Sequence, residues 1–493
     1  MMGIVIAIDA GTTGIRSTAI DESGQIVAWA YREFTQHFPR PGWVEHDANE
    51  IWSTTCETLA ELRGQLTEPV AALGITNQRE TLVAWSRSTH EPLHRAIVWQ
   101  DRRTTAATDA LEAAGHLDMV RSRTGLVLDP YFSGSKATWL RHNGGVPFND
   151  DLALGTVDTW LIWKLTSGTV HATEPSNASR TLLLNIDTVA WDQDLCDLFE
   201  VPMSSLGDIR PSSGRFGMTT DDCPLGAGIP ISGAAGDQQA ALFGQGCFTP
   251  GDVKNTYGTG SFVVMNVGEV RPEPVDGLLT SIGWQLADGT VTYALEGAIF
   301  VTGAAIQWLR DGLNIINDAS ELEDLALQCE DTGGVVFVPA LTGLGSPWWD
   351  PRARGTVLGL TRGTTRAHLA RATVESIVYQ TRDVVEAMTA TSGAPPRRLR
   401  VDGGASVMDL LLQTQADQLN VTVDRPTIQQ TTAMGAAFLA GLAEGVWSSL
   451  DDVSDRWSLD TSFTPAAVDR DKGYARWRRG VDRARDWADE DDE

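Results

Sequence analysis

The sequence predicts an α/β protein built as two domains of similar size, and three observations predict it. Its 493 residues exceed what one hydrophobic core organises, since cores stop growing at roughly 250–300 residues. Short apolar runs alternate with segments of helical periodicity, the pattern of sheets covered by helices. Each half also contains an apolar strand ending in an aspartate and small residues. In the first half Ile4-Val5-Ile6-Ala7-Ile8 precedes Asp9-Ala10-Gly11-Thr12-Thr13-Gly14; in the second Leu399-Arg400-Val401 precedes Asp402-Gly403-Gly404-Ala405.

Taken in order, the first run reads as a buried strand leaving its sheet at a polar, glycine-rich turn. Residues 17–20 and 26–31, parted by the turn Asp21-Glu22-Ser23-Gly24, continue it as a meander. Asp47-Ala48-Asn49-Glu50 has the spacing of a capping box, and Ile51, Leu59, Leu62 and Leu66 carry a helix onward. Strands over 70–75 and 95–99 and a helix after Arg102 extend the alternation. Cys247-Phe248-Thr249-Pro250-Gly251-Asp252 marks the boundary, because Pro-Gly makes a turn and a strand-rich pattern begins at Val253. The expected domains are therefore 1–248 and 249–493. In the second, Leu369, Val374, Ile377, Val378, Val384, Val385 and Met388 follow helical spacing up to a stop at Gly393. The acidic run Asp489 to Glu493 reads as a solvated tail.

Composition narrows the partners. With 65 acidic and 38 basic side chains the net charge is -27 (38 minus 65), which excludes nucleic acid as the main partner, because phosphate backbones are bound by clustered Lys and Arg. Five widely spaced cysteines without a C-x-x-C pair point to a reduced, cytoplasmic protein lacking a disulfide framework. No apolar run reaches the roughly 18–20 residues that span a bilayer, so no integral membrane segment is expected.

Three small-residue turns carry chemistry. Asp9 with Gly11-Thr12-Thr13-Gly14 offers a carboxylate, two hydroxyls and backbone N–H groups, a set that cradles phosphate and holds hydrated Mg²⁺; Arg16 follows two residues later. Asn255-Thr256-Tyr257-Gly258-Thr259-Gly260-Ser261-Phe262 repeats hydroxyls and glycines without a lysine, and at Asp402-Gly403-Gly404-Ala405 a flat base or ribose can approach the backbone. No G-x-x-x-x-G-K-[ST] occurs, so a P-loop is excluded. Three such turns in both halves favour a nucleotide cleft between the domains. Asp237, after Gly233-Ala234-Ala235-Gly236 and before Gln238-Gln239, suits a proton acceptor for a hydroxyl; Asn77-Gln78-Arg79-Glu80 suits a clamp on neighbouring hydroxyls, with Trp99, Tyr131 and Phe262 as apolar walls.

These segments, together with Pro41 to Asp47, Gly74 to Thr81, Asp129 to Gly134, Gly155 to Leu161, Tyr293 to Gly297, Gly343 to Pro347 and Gly355 to Leu360, resemble the FGGY carbohydrate kinase family, in its glycerol-phosphorylating branch. The similarity runs from Ile4 to about Trp447. It implies two actin-like, ribonuclease-H-like ATPase domains closing on ATP, Mg²⁺ and glycerol, in a homodimer or homotetramer. By position it assigns Thr12, Thr13, Gly14, Arg16, Thr259, Gly303, Gln307 and Gly404 to the nucleotide. Arg79, Glu80, Trp99, Tyr131, Asp237, Gln238 and Phe262 go to glycerol, and Asp9 and Asp237 to the metal. Kinases for erythritol, dihydroxyacetone or xylulose, and a catalytically silent nucleotide-binding protein, are the alternatives. Three departures stand out. Gly14 replaces a frequent serine, Met408 replaces a frequent asparagine near the adenine, and Gly226-Ala227-Gly228 lacks the arginine that some bacterial relatives use for fructose 1,6-bisphosphate inhibition.

Overall fold

Two sheets, one per half of the chain, carry the architecture of the computed structural model, which describes residues 3–488; the acidic run 489–493 lies outside them. Numbering only the strands of these two sheets, the first comprises β1 (Ile4–Ala10), β2 (Gly14–Ile20), β3 (Ile26–Glu33), β4 (Val70–Asn77), β5 (Ser213–Met218) and β6 (Pro230–Gly236), in the order β5-β6-β4-β1-β2-β3. The second comprises β7 (Asp252–Tyr257), β8 (Ser261–Gly268), β9 (Leu279–Gln285), β10 (Val291–Ile299), β11 (Arg398–Asp402), β12 (Val423–Pro426) and β13 (Leu459–Phe463), in the order β9-β10-β8-β7-β11-β12-β13.

The same five-stranded unit is present twice. In the first sheet β6, β4 and β1 are parallel neighbours, and β1-β2-β3 run antiparallel. In the second, β12, β11 and β7 are parallel and β7-β8-β10 antiparallel. The repeated strand–aspartate–glycine pattern of the sequence thus falls at two different positions of this unit: Asp9 ends the central β1, whereas Asp402 ends β11, the neighbour of the central β7.

Both faces of β1 are buried, as its continuous apolar run requires. Ile4, Ile6 and Ile8 pack with Leu59, Leu62, Leu73 and Leu161, while Val5 and Ala7 face a second core shared with Phe243, Met434 and Phe438. That second core draws on both halves of the chain. The helix Thr431–Ala443 crosses the first sheet and the helix Asp237–Gly244 at backbone contact, which its small residues permit. A Cβ on Gly435 would stand 1.8 Å from the Ala240 carbonyl oxygen, and one on Gly244 1.9 Å from that of Thr431. This helix is apolar on every side because it is buried on every side.

Several expectations from the sequence meet adjustments. The long helix runs Arg366–Ser392 and stops at Gly393 with φ of 71°, as its left-handed C-cap requires. Asp47 caps the helix Ala48–Gln65 by accepting from the Asn49 N–H at 2.8 Å. Glu50 does not complete a capping box: it accepts from the Thr35 N–H and Oγ1 at 2.9 and 2.8 Å, tying the helix to the chain leaving β3. The strand expected over 95–99 contracts to Ala96–Ile97. All five cysteines are unpaired, and no described helix is long and apolar enough to cross a membrane.

Candidate active site

Between the sheets, the ends of β4 and β6 from the first half face β7, β8 and β10 of the second. Arg79 and Glu80 follow β4 and are buried, and Asp237 opens the helix that follows β6. The parallel pairing of β4 with β6, Asn77 opposite Gly236, brings these groups together although nearly 160 positions separate them in sequence. Arg79 Nε lies 3.3 Å from Asp237 and 3.8 Å from Glu80. Gly236 makes the approach possible, since a Cβ there would stand 2.7 Å from the Arg79 side chain. Glu80 adopts φ of 59°, a left-handed conformation that costs a non-glycine residue energy and marks a constrained site.

Two arginines and two glutamates form a closed ring here. Arg79 Nη1 donates to Glu296 on β10 at 2.7 Å, Arg180 Nη1 lies 3.4 Å from the same carboxylate, and Arg180 Nε donates to Glu80 at 2.6 Å. Burial opposes the charge of Arg79, but Glu296, Glu80 and Asp237 outweigh it and hold the group well above its ordinary value. Burial would raise Glu296; Arg180 and Arg79 instead bring it down to about 2. Glu80 stays above the usual carboxylate value because burial exceeds the pull of its arginines.

Aromatic groups border this ring. Tyr131 is covered by the Arg180 guanidinium at 5.3 Å and meets Trp99 edge-on at 5.6 Å. Lys136, buried behind them, donates to the Pro130 and Phe132 carbonyls at 2.9 and 3.2 Å and so fixes the Tyr131 loop. Trp99 Nε1 donates to Thr12 Oγ1 at 3.0 Å; the aromatic wall and the first turn are therefore one construction. Phe262 sits on β8, paired with Thr256 on one side and Ala298 on the other.

The first turn departs in detail from its sequence reading. Thr13 is exposed, but Gly14 is buried, and a Cβ on it would stand 2.5 Å from the Arg32 carbonyl oxygen and 2.7 Å from the Tyr31 hydroxyl. Glycine here answers to packing under Tyr31. The Arg16 guanidinium lies over Trp29 and Tyr31 at 4.9 and 5.4 Å. No hydrogen bond reaches the Asp9 carboxylate among the described residues; burial first, and then the nearby Asp237 charge, push it up to about 7.

On the second sheet, Thr259 and Gly303 are joined through the turn between β7 and β8. The Gly303 N–H donates to the Gly258 carbonyl at 3.0 Å, and the Ala304 N–H to that of Thr259 at 3.0 Å. Gly403, with φ of 88°, sits so close that a Cβ would stand 2.5 Å from the Tyr257 carbonyl oxygen, which brings the exposed Gly404 to the same turn. Gln307 closes the short helix Gly303–Gln307 and is exposed. Met408 is buried in the core of the second half, and Val407 beside it is exposed. Asp402 accepts from Gln245 Nε2 at 2.8 Å and Thr431 Oγ1 at 2.5 Å, anchoring the crossing helices.

Sequence reasoning missed three residues. Lys254 reaches Gln238 Oε1 and, at 3.0 Å, Thr256 Oγ1, so a lysine does stand beside the second turn. Burial pulls it down to about 8, with Asp402 and Asp237 offsetting part of the cost. As one of only four lysines it carried a faint signal; Glu296, a charge inside the largely apolar strand segment Ala294-Leu295-Glu296-Gly297, carried another. Arg180 carried none.

Comparison with known proteins agrees with this geometry. Residues 4–244 match the N-terminal domain of the FGGY family of carbohydrate kinases and residues 253–444 its C-terminal domain. The chain is 51% identical to glycerol kinase 2 of Thermotoga maritima and 53% identical to the glycerol kinase of Symbiobacterium thermophilum, each over 99% of both chains. Among solved structures it superposes on Plasmodium falciparum glycerol kinase with ADP at a TM-score of 0.94, with 35% identity over 98% of both chains. A xylulose kinase from Lactobacillus acidophilus, 22% identical with a TM-score of 0.87, shares the fold. The chain belongs to the FGGY family of carbohydrate kinases and has its two-domain, actin-like ATPase fold.

Proposed function

We propose that this protein transfers the γ-phosphate of ATP to a terminal hydroxyl of glycerol, giving glycerol 3-phosphate and ADP in the cytoplasm. The observation that carries the reading is the buried Arg79–Glu80 pair beside Asp237, bordered by Trp99 and Tyr131 and tied directly to the first turn at Thr12. High identity to glycerol kinases over the whole chain supports the acceptor, and the ADP in the Plasmodium relative supports the nucleotide. The two lobes, 1–248 and 249–493, would close on these substrates.

In this reading Arg79, Glu80 and Gln238 bind the hydroxyls of glycerol, and Trp99, Tyr131 and Phe262 flank its carbons. Asp237 accepts the proton of the terminal hydroxyl as that oxygen bonds to the γ-phosphorus and the bond to the β,γ-bridging oxygen breaks. Thr12, Thr13, Gly14, Arg16 and Thr259 serve the phosphates; Gly303, Gln307 and Gly404 serve the nucleoside. The pair Asp9 and Asp237 suits Mg²⁺: both donors are oxygen, no hydrogen bond satisfies Asp9 among the described residues, and the Asp237 charge adds to the burial that opposes ionisation of Asp9. A bound Mg²⁺ would neutralise phosphate charge. Closure of the lobes excludes water, a competing acceptor.

Coupled measurement of ADP release with glycerol, erythritol, dihydroxyacetone and xylulose tests the proposal. The expected result is the highest kcat/KM for glycerol. A ketose preferred over glycerol overturns the acceptor reading, and ADP release that no acceptor stimulates overturns the kinase reading.

A further inference from the structure

The acceptor groups of the first lobe are not held by the first lobe alone. Lys254 on β7 is paired with Val264 on β8, and Val264 with Glu296 on β10. Residues directly opposite each other in adjacent strands project from the same face, so Lys254, Val264 and Glu296 form one row across the second sheet. The middle residue belongs to the core shared with Ala240 and Leu242 of the first lobe; the row faces that lobe. A cation and an anion thus flank one apolar residue, both buried, and both reach across the interface.

Each charge grips a different member of the acceptor set. Glu296 takes the Arg79 Nη1–H at 2.7 Å, and its other oxygen accepts from Gln239 Nε2 at 2.9 Å and from Ser281 Oγ. Lys254 donates to Gln238 Oε1. Arg79 and Gln238 belong to the acceptor set with Asp237; the first-lobe contacts of Arg79 are all longer than the Glu296 contact, and among the described residues the Gln238 side chain has no first-lobe hydrogen bond. Asp237 is 3.3 Å from Arg79 Nε, longer than the Glu296 contact, and Gln239 Oε1 is 3.2 Å from Arg79 Nη1. For a planar guanidinium with five donors, the short buried contact to carboxylate sets the plane.

Resting on the functional reading above, we propose that Glu296 and Lys254 are positioning residues: each second-lobe charge orients one acceptor-binding side chain of the first lobe, so the acceptor pocket is complete only with the lobes docked. Neither residue is assigned to the nucleotide. Their loss should therefore raise acceptor KM while sparing the nucleotide side.

The test uses the full-length enzyme with E296Q, E296D, K254M and K254R, measuring acceptor KM, ATP KM, kcat and thermal melting. E296Q and K254M are each expected to raise glycerol KM at least about tenfold, the size of one charged hydrogen bond of about 1.5–3 kcal/mol, with ATP KM within about twofold. E296D and K254R, which keep the charge, should recover part of the loss. Glycerol KM unchanged in both neutral variants, or equal rises in both substrates' KM, overturns the proposal. If one neutral variant loses its cooperative melting transition, the other carries the test, since they grip different residues. A wild-type enzyme that prefers another acceptor overturns the functional reading, and the variants are then scored with that acceptor.

Discussion

The two hairpin turns β1–β2 and β7–β8 occupy the same place in a duplicated five-stranded unit, yet the charge that precedes each is of opposite sign. The first joins β1 to β2 and is preceded by Asp9, a buried carboxylate pushed up to about 7. Its counterpart joins β7 to β8, and the strand that enters it carries Lys254, a buried ammonium pulled down to about 8. Burial opposes the charged form of each. In the proposed reading they offer a metal-holding anion from one lobe and an orienting cation from the other. One backbone plan thus serves two chemical roles, decided by single side chains on the inner face of a strand.

Breaking the comparison at its centre should have the largest effect. Asp237→Asn removes the proposed proton acceptor, so kcat should fall by about 10²–10⁴ while nucleotide affinity, followed by calorimetry, stays near normal. Near-normal turnover would remove Asp237 from that role. Next, Asp9→Asn removes half of the carboxylate pair. If Asp9 holds the metal through its water shell, the Mg²⁺ concentration for half-maximal activity should rise about 10–100-fold; an unchanged requirement argues that the metal rests elsewhere.

The same variant has a stability signature of definite sign. Because Asp9 is raised from 3.8 to about 7 in the fold, the native state binds the proton more tightly than the unfolded chain, and wild-type stability falls as pH rises through that window. Asp9→Asn should therefore melt higher than wild type at pH 8 and show no such gain at pH 4. A gain that is the same at both values would mean the effect is not ionisation.

Smaller effects are expected where packing, not charge, is changed. Gly435→Ala places a methyl 1.8 Å from the Ala240 carbonyl oxygen, a backbone neighbour that cannot swing aside, and should cost about 3 kcal/mol in urea unfolding. The crossing helices hold the lobes in register, so acceptor KM should rise as well. Gly14→Ser meets Tyr31 and the Arg32 carbonyl; about 1–2 kcal/mol of stability should be lost. A stabilised serine variant would contradict the packing account of that glycine.

Much of the site was legible because its chemistry is local in sequence. Asp9 with its turn, Arg79-Glu80, Asp237 and the Tyr257–Ser261 turn each announce themselves by charge or glycine next to a strand end. Lys254 and Glu296 did so only weakly, because each lies inside a strand, where a charge reads as an edge or an exposed face. Only the pairing of β7, β8 and β10 puts them in one row, and only the other lobe supplies their partners. The capping box at Asp47 shows the converse. Its spacing was right and its helix formed, but a tertiary partner, Thr35, took Glu50.

By itself the sequence determined the alternation of strands and helices, the small-residue turns, the family and the types of group available for phosphate and hydroxyl binding. These follow from periodicity, backbone freedom and side-chain chemistry, which act over a few residues. The tertiary structure decided which groups share a charge environment: that Trp99 bonds Thr12, that Met408 enters a core, and that Arg79 answers to Glu296. Electrostatics and close packing act through space, and distances between residues some 200 positions apart in sequence exist only once the two sheets have docked.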